Sequence, residues 1–130
     1  MIQSPQKIQR LFPSICWRKK TTKKELYLTF DDSPTPKFTY WLLNLLKSLS
    51  IKATFFCIGE NSEKYPQIIS KIIHDGHQIG NHSYSHKNGF LSTTNSYLED
   101  IEKCRNILPP TSLFRPPYGN IYPWQIKKIK

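Results

Sequence analysis

The sequence predicts an α/β domain in which parallel strands alternate with helices, and three observations carry that prediction. Short, β-prone apolar runs alternate with stretches of helical apolar spacing from residue 25 onward. Successive strand–helix units of this length join parallel strands through right-handed crossovers. The chemically versatile side chains also fall just after the strand runs, and in parallel α/β folds those strand ends share one face.

Taken in order, residues 25–30 (ELYLTF) read as a buried first strand that runs into Asp31, Asp32, Ser33 and Pro34. A helix should follow, with Thr35 as N-cap, Pro36 at its first position, and Phe38, Trp41, Leu42, Leu45, Leu46 and Leu49 facing inward. Residues 53–58 (ATFFCI) form a second buried strand closed by Gly59. The next helix is expected from an Asn61 cap, with Tyr65, Ile68, Ile69, Ile72 and Ile73 inward and Gly76 as its stop. Residues 78–81 make a third, very short strand. A helix from about Thr94 then shows Tyr97, Leu98, Ile101, Cys104 and Leu108 on one face and ends at Pro109 and Pro110. Residues 111–115 read as a fourth strand, and Pro123 opens a last helical segment that runs out at Lys130.

The chain's 130 residues suit one domain, and 38% hydrophobic residues suffice for a core, which excludes wholesale disorder. Nineteen Lys and Arg against nine Asp and Glu leave a net charge of +10, which favours anionic neighbours. No nucleic-acid-binding motif surrounds that charge. No run approaches a membrane-spanning length, and the N-terminus lacks the apolar core and cleavage site of a signal peptide, so a cytoplasmic location is the default expectation. Cys16, Cys57 and Cys104 are odd in number and far apart, which argues against a disulfide framework and for reduced thiols. Residues 1–24 form a basic N-terminal segment, including Arg18, Lys19, Lys20, Lys23 and Lys24, ahead of the domain at 25–130. In it Ile8, Leu11, Phe12 and Ile15 have helical spacing limited by Pro13; docking against the domain is expected, with an anionic membrane surface as the alternative.

His82 and His86 form HSYSH, and one helical turn or a loop of similar pitch lets both imidazoles reach one metal ion. A carboxylate from another strand end would complete a three-ligand shell with open positions. The doublet Asp31–Asp32 suits a division of labour in which one carboxylate ligates and its neighbour accepts a proton from metal-bound water. Its bland reading is a turn or cap before Pro34. Arg115, where the fourth strand should end, can hold a carboxylate in a fixed orientation, with Asp31 the obvious partner; RPPYG otherwise stiffens a loop. Two His and one carboxylate also describe a mononuclear iron oxygenase, against which a free Asp31 beside the ligand argues for hydrolysis. His74 at a helix C-terminus, His77 before the third strand, Cys57, and Phe38 and Trp41 at core spacing take structural readings.

Together these residues resemble the polysaccharide deacetylase family, the NodB-homology domain of carbohydrate esterase family four. Its TFDDGP motif appears as Thr29-Phe30-Asp31-Asp32-Ser33-Pro34, its H-[ST]-x-x-H motif as His82-Ser83-Tyr84-Ser85-His86, and its R-x-P-Y motif as Arg115-Pro116-Pro117-Tyr118. The match spans residues 25–123 and includes the ATFF-x-IG segment from Ala53 to Gly59. The resemblance implies the N-terminal part of a deformed (β/α) barrel and metal-dependent removal of N- or O-acetyl groups from an acetylated glycan. It implies Asp32, His82 and His86 as ligands of a divalent metal, usually zinc, Asp31 as general base tethered by Arg115, and the Tyr118 N–H as an oxyanion donor, with Pro117 and Tyr118 against substrate. Two departures stand out. Ser33 replaces the usual glycine, which would cost about 1 kcal/mol if that position needs positive φ. The family's later motifs, with a histidine that protonates the leaving amine, lie beyond residue 130, and no histidine follows His86. An intact ligand set without full turnover by these 130 residues alone is therefore expected, the alternative being an inert metal- and sugar-binding fragment.

Overall fold

The computed structural model describes residues 6–17, 19 and 21–129. Arg18, Lys20 and Lys130, and the side chain of Ile8, lie outside the described residues. The α/β architecture is as expected. A parallel three-stranded sheet in the order β1-β2-β3 is built from β1 (Thr29–Ser33), β2 (Thr54–Cys57) and β3 (Gln78–Asn81). Helices α2 (Pro36–Ser48), α3 (Gly59–Lys64), α4 (Pro66–His74), α5 (Thr94–Ile107) and α6 (Pro123–Ile126) connect or follow the strands, and α1 (Gln6–Leu11) precedes them.

Several elements differ from expectation for identifiable reasons. The first strand begins later and ends later than residues 25–30, so Asp31 and Asp32 lie within it, and Leu26 and Tyr27 are exposed. Apolar alternation ahead of Thr29 finds no ladder beyond the single bond from Thr54 N–H to Leu28 O. On α2 two apolar stripes overlap, and the one that is buried is Thr39, Leu42, Leu43 and Leu46. Thr39 turns in because its hydroxyl accepts a hydrogen bond from Thr35 N–H, so Thr35 caps through its backbone rather than its side chain. Phe38 and Trp41, expected in the core, are instead 55% and 57% exposed and pack on each other. The single helix expected after Gly59 is two, because Pro66 starts α4 and Tyr65 leaves helical geometry. Gly76, at φ 78°, ends α4 as expected. Residues 111–115 are not a strand. Only Phe114 forms an isolated parallel bridge to Asn81, although Leu113 O and Arg115 N–H still pair with the Asn81 backbone. In the N-terminal segment Leu11 is 70% exposed instead of docked, and Trp17 Nε1 bonds back to Phe12 O.

The core lies between the helices and the sheet. It joins Leu42, Leu43 and Leu46 to Phe55 and Cys57 of β2, Ile68, Ile69 and Ile72 of α4, and Ile79 and Cys104. Each such leucine or isoleucine contributes about 1.5–3 kcal/mol on burial. The three cysteines are free, and burial raises the Cys57 thiol and pushes Cys104 up to about 12, which fits inert core positions. Gly80 is required by close approach: a Cβ there would lie 2.5 Å from the Phe56 ring.

His77 holds the opposite end of the sheet, as a structural residue. It is buried, its ring meets Phe55 edge-on, and its Nδ1 accepts a hydrogen bond from Ala53 N–H. That bond needs an unprotonated Nδ1, and burial, reinforced by the Lys52 charge, lowers the His77 pKa below its ordinary 6.5. Folding thus favours neutral His77, so its contribution is full above the unfolded pKa of about 6.5 and is lost as pH falls from there through the lower folded pKa. Urea unfolding at pH 8 and pH 5 should show a smaller acid loss of stability for His77→Leu than for the parent chain; equal losses would remove His77 from the acid response.

Candidate active site

At the C-terminal strand ends, β1 carries a bulge. Phe30 pairs with Phe55 and Ser33 with Cys57, so Asp31 and Asp32 together oppose one residue. Asp32 takes up the irregularity with a left-handed backbone at φ 62°, a conformation that aspartate tolerates better than most residues. The residue needing positive φ is therefore Asp32 and not Ser33, which is buried in the ladder and whose carbonyl accepts from Ile58 N–H. The bulge re-aims the Asp32 carboxylate across the sheet toward the end of β3.

His82 and His86 sit on a loop rather than a helical turn, with Ser83 and His86 both at positive φ. His82 Nδ1 lies 2.7 Å from Arg115 O. As its donor it fixes the tautomer and points a bare Nε2 at the cluster. His82 Nε2 and His86 Nε2 stand 3.5 Å and 3.1 Å from Asp32 Oδ1. One ligand atom from each residue lies within 4.8 Å of the others. The bare Nε2 of His82 facing a carboxylate oxygen is repulsive unless a cation is shared between them, so the donor set fits a divalent metal. Burial lowers the His82 pKa, the bond to Arg115 O opposing it, which keeps the ring neutral and able to ligate. The side chains grade from His82, 3% exposed, to Asp32, 61% exposed, which leaves the solvent side of the cluster open.

Asp31 is kept out of that cluster by Arg115. Arg115 Nη1 lies 2.7 Å from Asp31 Oδ1 and 2.9 Å from Thr29 Oγ1, and its guanidinium stacks 4.1 Å over the Phe56 ring. Phe56 can lie there because Gly80 has no side chain. Tyr118 is the exposed apex of a tight turn, at φ 59°, with its ring edge-on to His86 at 4.7 Å. The turn's internal bonds come from Gly119 and Asn120, and neither uses the Tyr118 N–H. Pro117 is fully buried. His74 and His77 lie away from this face, at the end of α4 and just before β3.

Two site residues were not foreseen. Asp100, on α5 and buried, accepts from Tyr84 N–H at 2.9 Å, Ser85 N–H at 3.1 Å and the Ser85 hydroxyl at 2.7 Å. It thereby anchors the loop between the two histidines. Asn81 accepts from Ser83 N–H and donates to Ile101 O. From the other side, the first N–H groups of α3, those of Gly59 and Glu60, cap Ser83 O and Tyr84 O. The readable signal was that Asp100 lies among Tyr97, Ile101 and Cys104 on the buried face of α5, where an acid needs partners.

The parallel α/β fold thus carries a two-histidine, one-aspartate cluster at its strand ends, with a second aspartate held beside it. The chain belongs to the polysaccharide deacetylase family, whose profile matches residues 18–129. It is similar to a peptidoglycan-N-acetylglucosamine deacetylase of Bacillus cereus, 44% identical over 110 residues that make up 81% of this chain and 40% of that protein. Its fold matches the solved peptidoglycan deacetylase PdaC of Bacillus subtilis with a TM-score of 0.81 and 32% identity, covering 84% of this chain and 56% of that one. A family 4 carbohydrate esterase from Streptomyces lividans, solved with acetate, matches with a TM-score of 0.72 and 28% identity, over 80% of this chain and 56% of that one. The chain thus spans about half the length of these relatives.

Asp100→Ala removes the acceptors of two loop N–H groups and of the Ser85 hydroxyl. Zinc affinity by competition with a chromophoric chelator should fall by about 10–100-fold, the usual scale for a lost outer-shell partner. Unchanged affinity alongside a lower unfolding midpoint would make Asp100 a stability residue only.

Proposed function

We propose that this chain binds a divalent metal, zinc by family resemblance, through Asp32, His82 and His86 and hydrolyses acetyl groups on a glycan. The relatives make the N-acetylated amino sugars of peptidoglycan the favoured substrate. The observation that carries the reading is the separation of two adjacent aspartates: Asp32 joins the histidines while Arg115 holds Asp31 beside them. Zinc, when bound there, supplies Lewis-acid polarisation of the acetyl carbonyl and of a water.

The protein's own groups do the rest. Asp31 accepts the water proton on the carboxylate that Arg115 orients. The Tyr118 N–H, left out of its turn's bonds, donates to the oxyanion that develops on the acetyl carbon. The exposed Tyr118 ring offers a wall against which the sugar rests. Departure of an amine needs a proton, and neither histidine outside the cluster is placed to give it: His77 is buried at the other sheet end, and His74 sits beside Asp75. An activated aryl ester needs no such proton, because its leaving group departs as the anion.

With zinc, the chain should release acetate from an activated aryl acetate faster than from an N-acetylated oligosaccharide, and a chelator should stop both. Asp31→Asn should lower the ester rate by about 10²–10⁴-fold with zinc stoichiometry unchanged. Absence of chelator-sensitive release from either substrate would contradict the reading.

A further inference from the structure

The segments that follow His86 and Tyr118 carry a row of three aromatic rings that the chemistry above does not use. Tyr122 and Trp124 stack face to face, with centroids 4.4 Å apart and planes 9° from parallel, and Phe90 leans on Tyr122 at 4.6 Å. Phe90 is 46% and Trp124 53% exposed, so the row is a surface feature. It is also fixed in place. The buried Gln125 side chain donates to Gly89 O and accepts from Tyr122 N–H, Asn88 Oδ1 accepts from Phe90 N–H, and Trp124 Nε1 donates to Thr94 Oγ1.

The row is close to the site along the chain. Phe90 follows His86 by four residues and Tyr122 follows Tyr118 by four, so each ring is within about 14 Å of backbone from a site residue. The two segments are tied together where they meet, by Asn120 Nδ2 to Asn88 Oδ1 and by Gln125 to Gly89. In a chain of net charge +10, residues 88–98 and 116–126 hold no Lys, Arg, Asp or Glu.

We propose that the outward face of Trp124, braced by the Tyr122 and Phe90 rings stacked behind it, is a stacking platform for a pyranose ring of the glycan whose acetyl group meets the cluster. The identity of the polymer rests on the glycan reading above. A pyranose presents a face of polarised C–H groups that suits the negative face of an aromatic ring, and its hydroxyls suit the uncharged amides and hydroxyls of Asn88, Asn120 and Thr94. Nucleic-acid bases stack on similar rings, but such sites pair them with a positively charged groove, which these segments lack. A second copy of the chain would bring another +10 to the contact.

The test is calorimetric binding of N-acetylglucosamine and a series of its short β-linked oligomers to the full chain without added metal, paired with light scattering. Affinity should rise with oligomer length. Trp124→Ala should weaken the longer oligomers by about tenfold, a hot-spot-sized loss, and leave the monosaccharide unchanged. Trp124→Tyr, which keeps a ring, should retain most of the gain. Length-independent affinity, or a natively folded Trp124→Ala with parental oligomer affinity, overturns the platform. So does a parental dimer that Trp124→Ala converts to monomer, since the row would then be a self-contact. If acetate is released but Trp124→Ala binds oligomers normally, the platform fails while the deacetylase reading stands. If no acetate is released but the Trp124-dependent gain is present, the reverse holds.

Discussion

Arg115 is the residue on which both halves of the site depend. Its backbone carbonyl meets His82 Nδ1 and so decides which nitrogen faces the cluster, while its guanidinium holds Asp31 away from it. Two adjacent aspartates of identical chemistry thereby acquire different surroundings: one converges with two imidazoles, the other is paired with a cation. Arg115 is itself fixed by elements far apart in sequence, through its N–H to Asn81 O, its side chain to Thr29 Oγ1 and its stacking on Phe56. One position thus ties β1, β2 and β3 to the loop that follows the isolated bridge.

The backbone does comparable work. Asp32, Ser83, His86 and Tyr118 all occupy left-handed geometry, each at a cost of about 1–3 kcal/mol that surrounding contacts must offset. Those contacts are visible: the sheet ladder on either side of Asp32, the α3 N–H groups and Asp100 around the histidine loop, and Gly80 beneath Phe56. The core formed by α2, α4 and α5 provides the rigid support, so the site is assembled before any ligand arrives.

Much of this was legible in the sequence. The alternation of apolar runs gave the parallel α/β class, and Asp32, His82, His86, Asp31 and Arg115 were named from chemistry and placed together by strand-end logic. What escaped were features decided by tertiary contacts. Phe38 and Trp41 have core spacing, but Thr39 found a partner in Thr35 N–H and turned the helix by one residue. The span 111–115 has strand-like composition, yet Thr111 Oγ1 bonds Ile79 O and leaves only Phe114 in bridge register. Positive φ falls on Asp32 and not on Ser33 because the bulge sets Asp31 and Asp32 together against one residue of β2, a register that pairing with β2 decides. Helical spacing puts Asp100 on the buried face of α5, but which loop amides it and Asn81 meet is decided by tertiary contacts.

The most direct test of this division of roles is a crystal structure of the protein soaked with zinc, with the ion located by anomalous scattering. The account predicts one ion held by an Asp32 carboxylate oxygen and the Nε2 atoms of His82 and His86, with Asp31 still paired to Arg115. An ion ligated by Asp31, or by Nδ1 of His82 with its bond to Arg115 O broken, would contradict it.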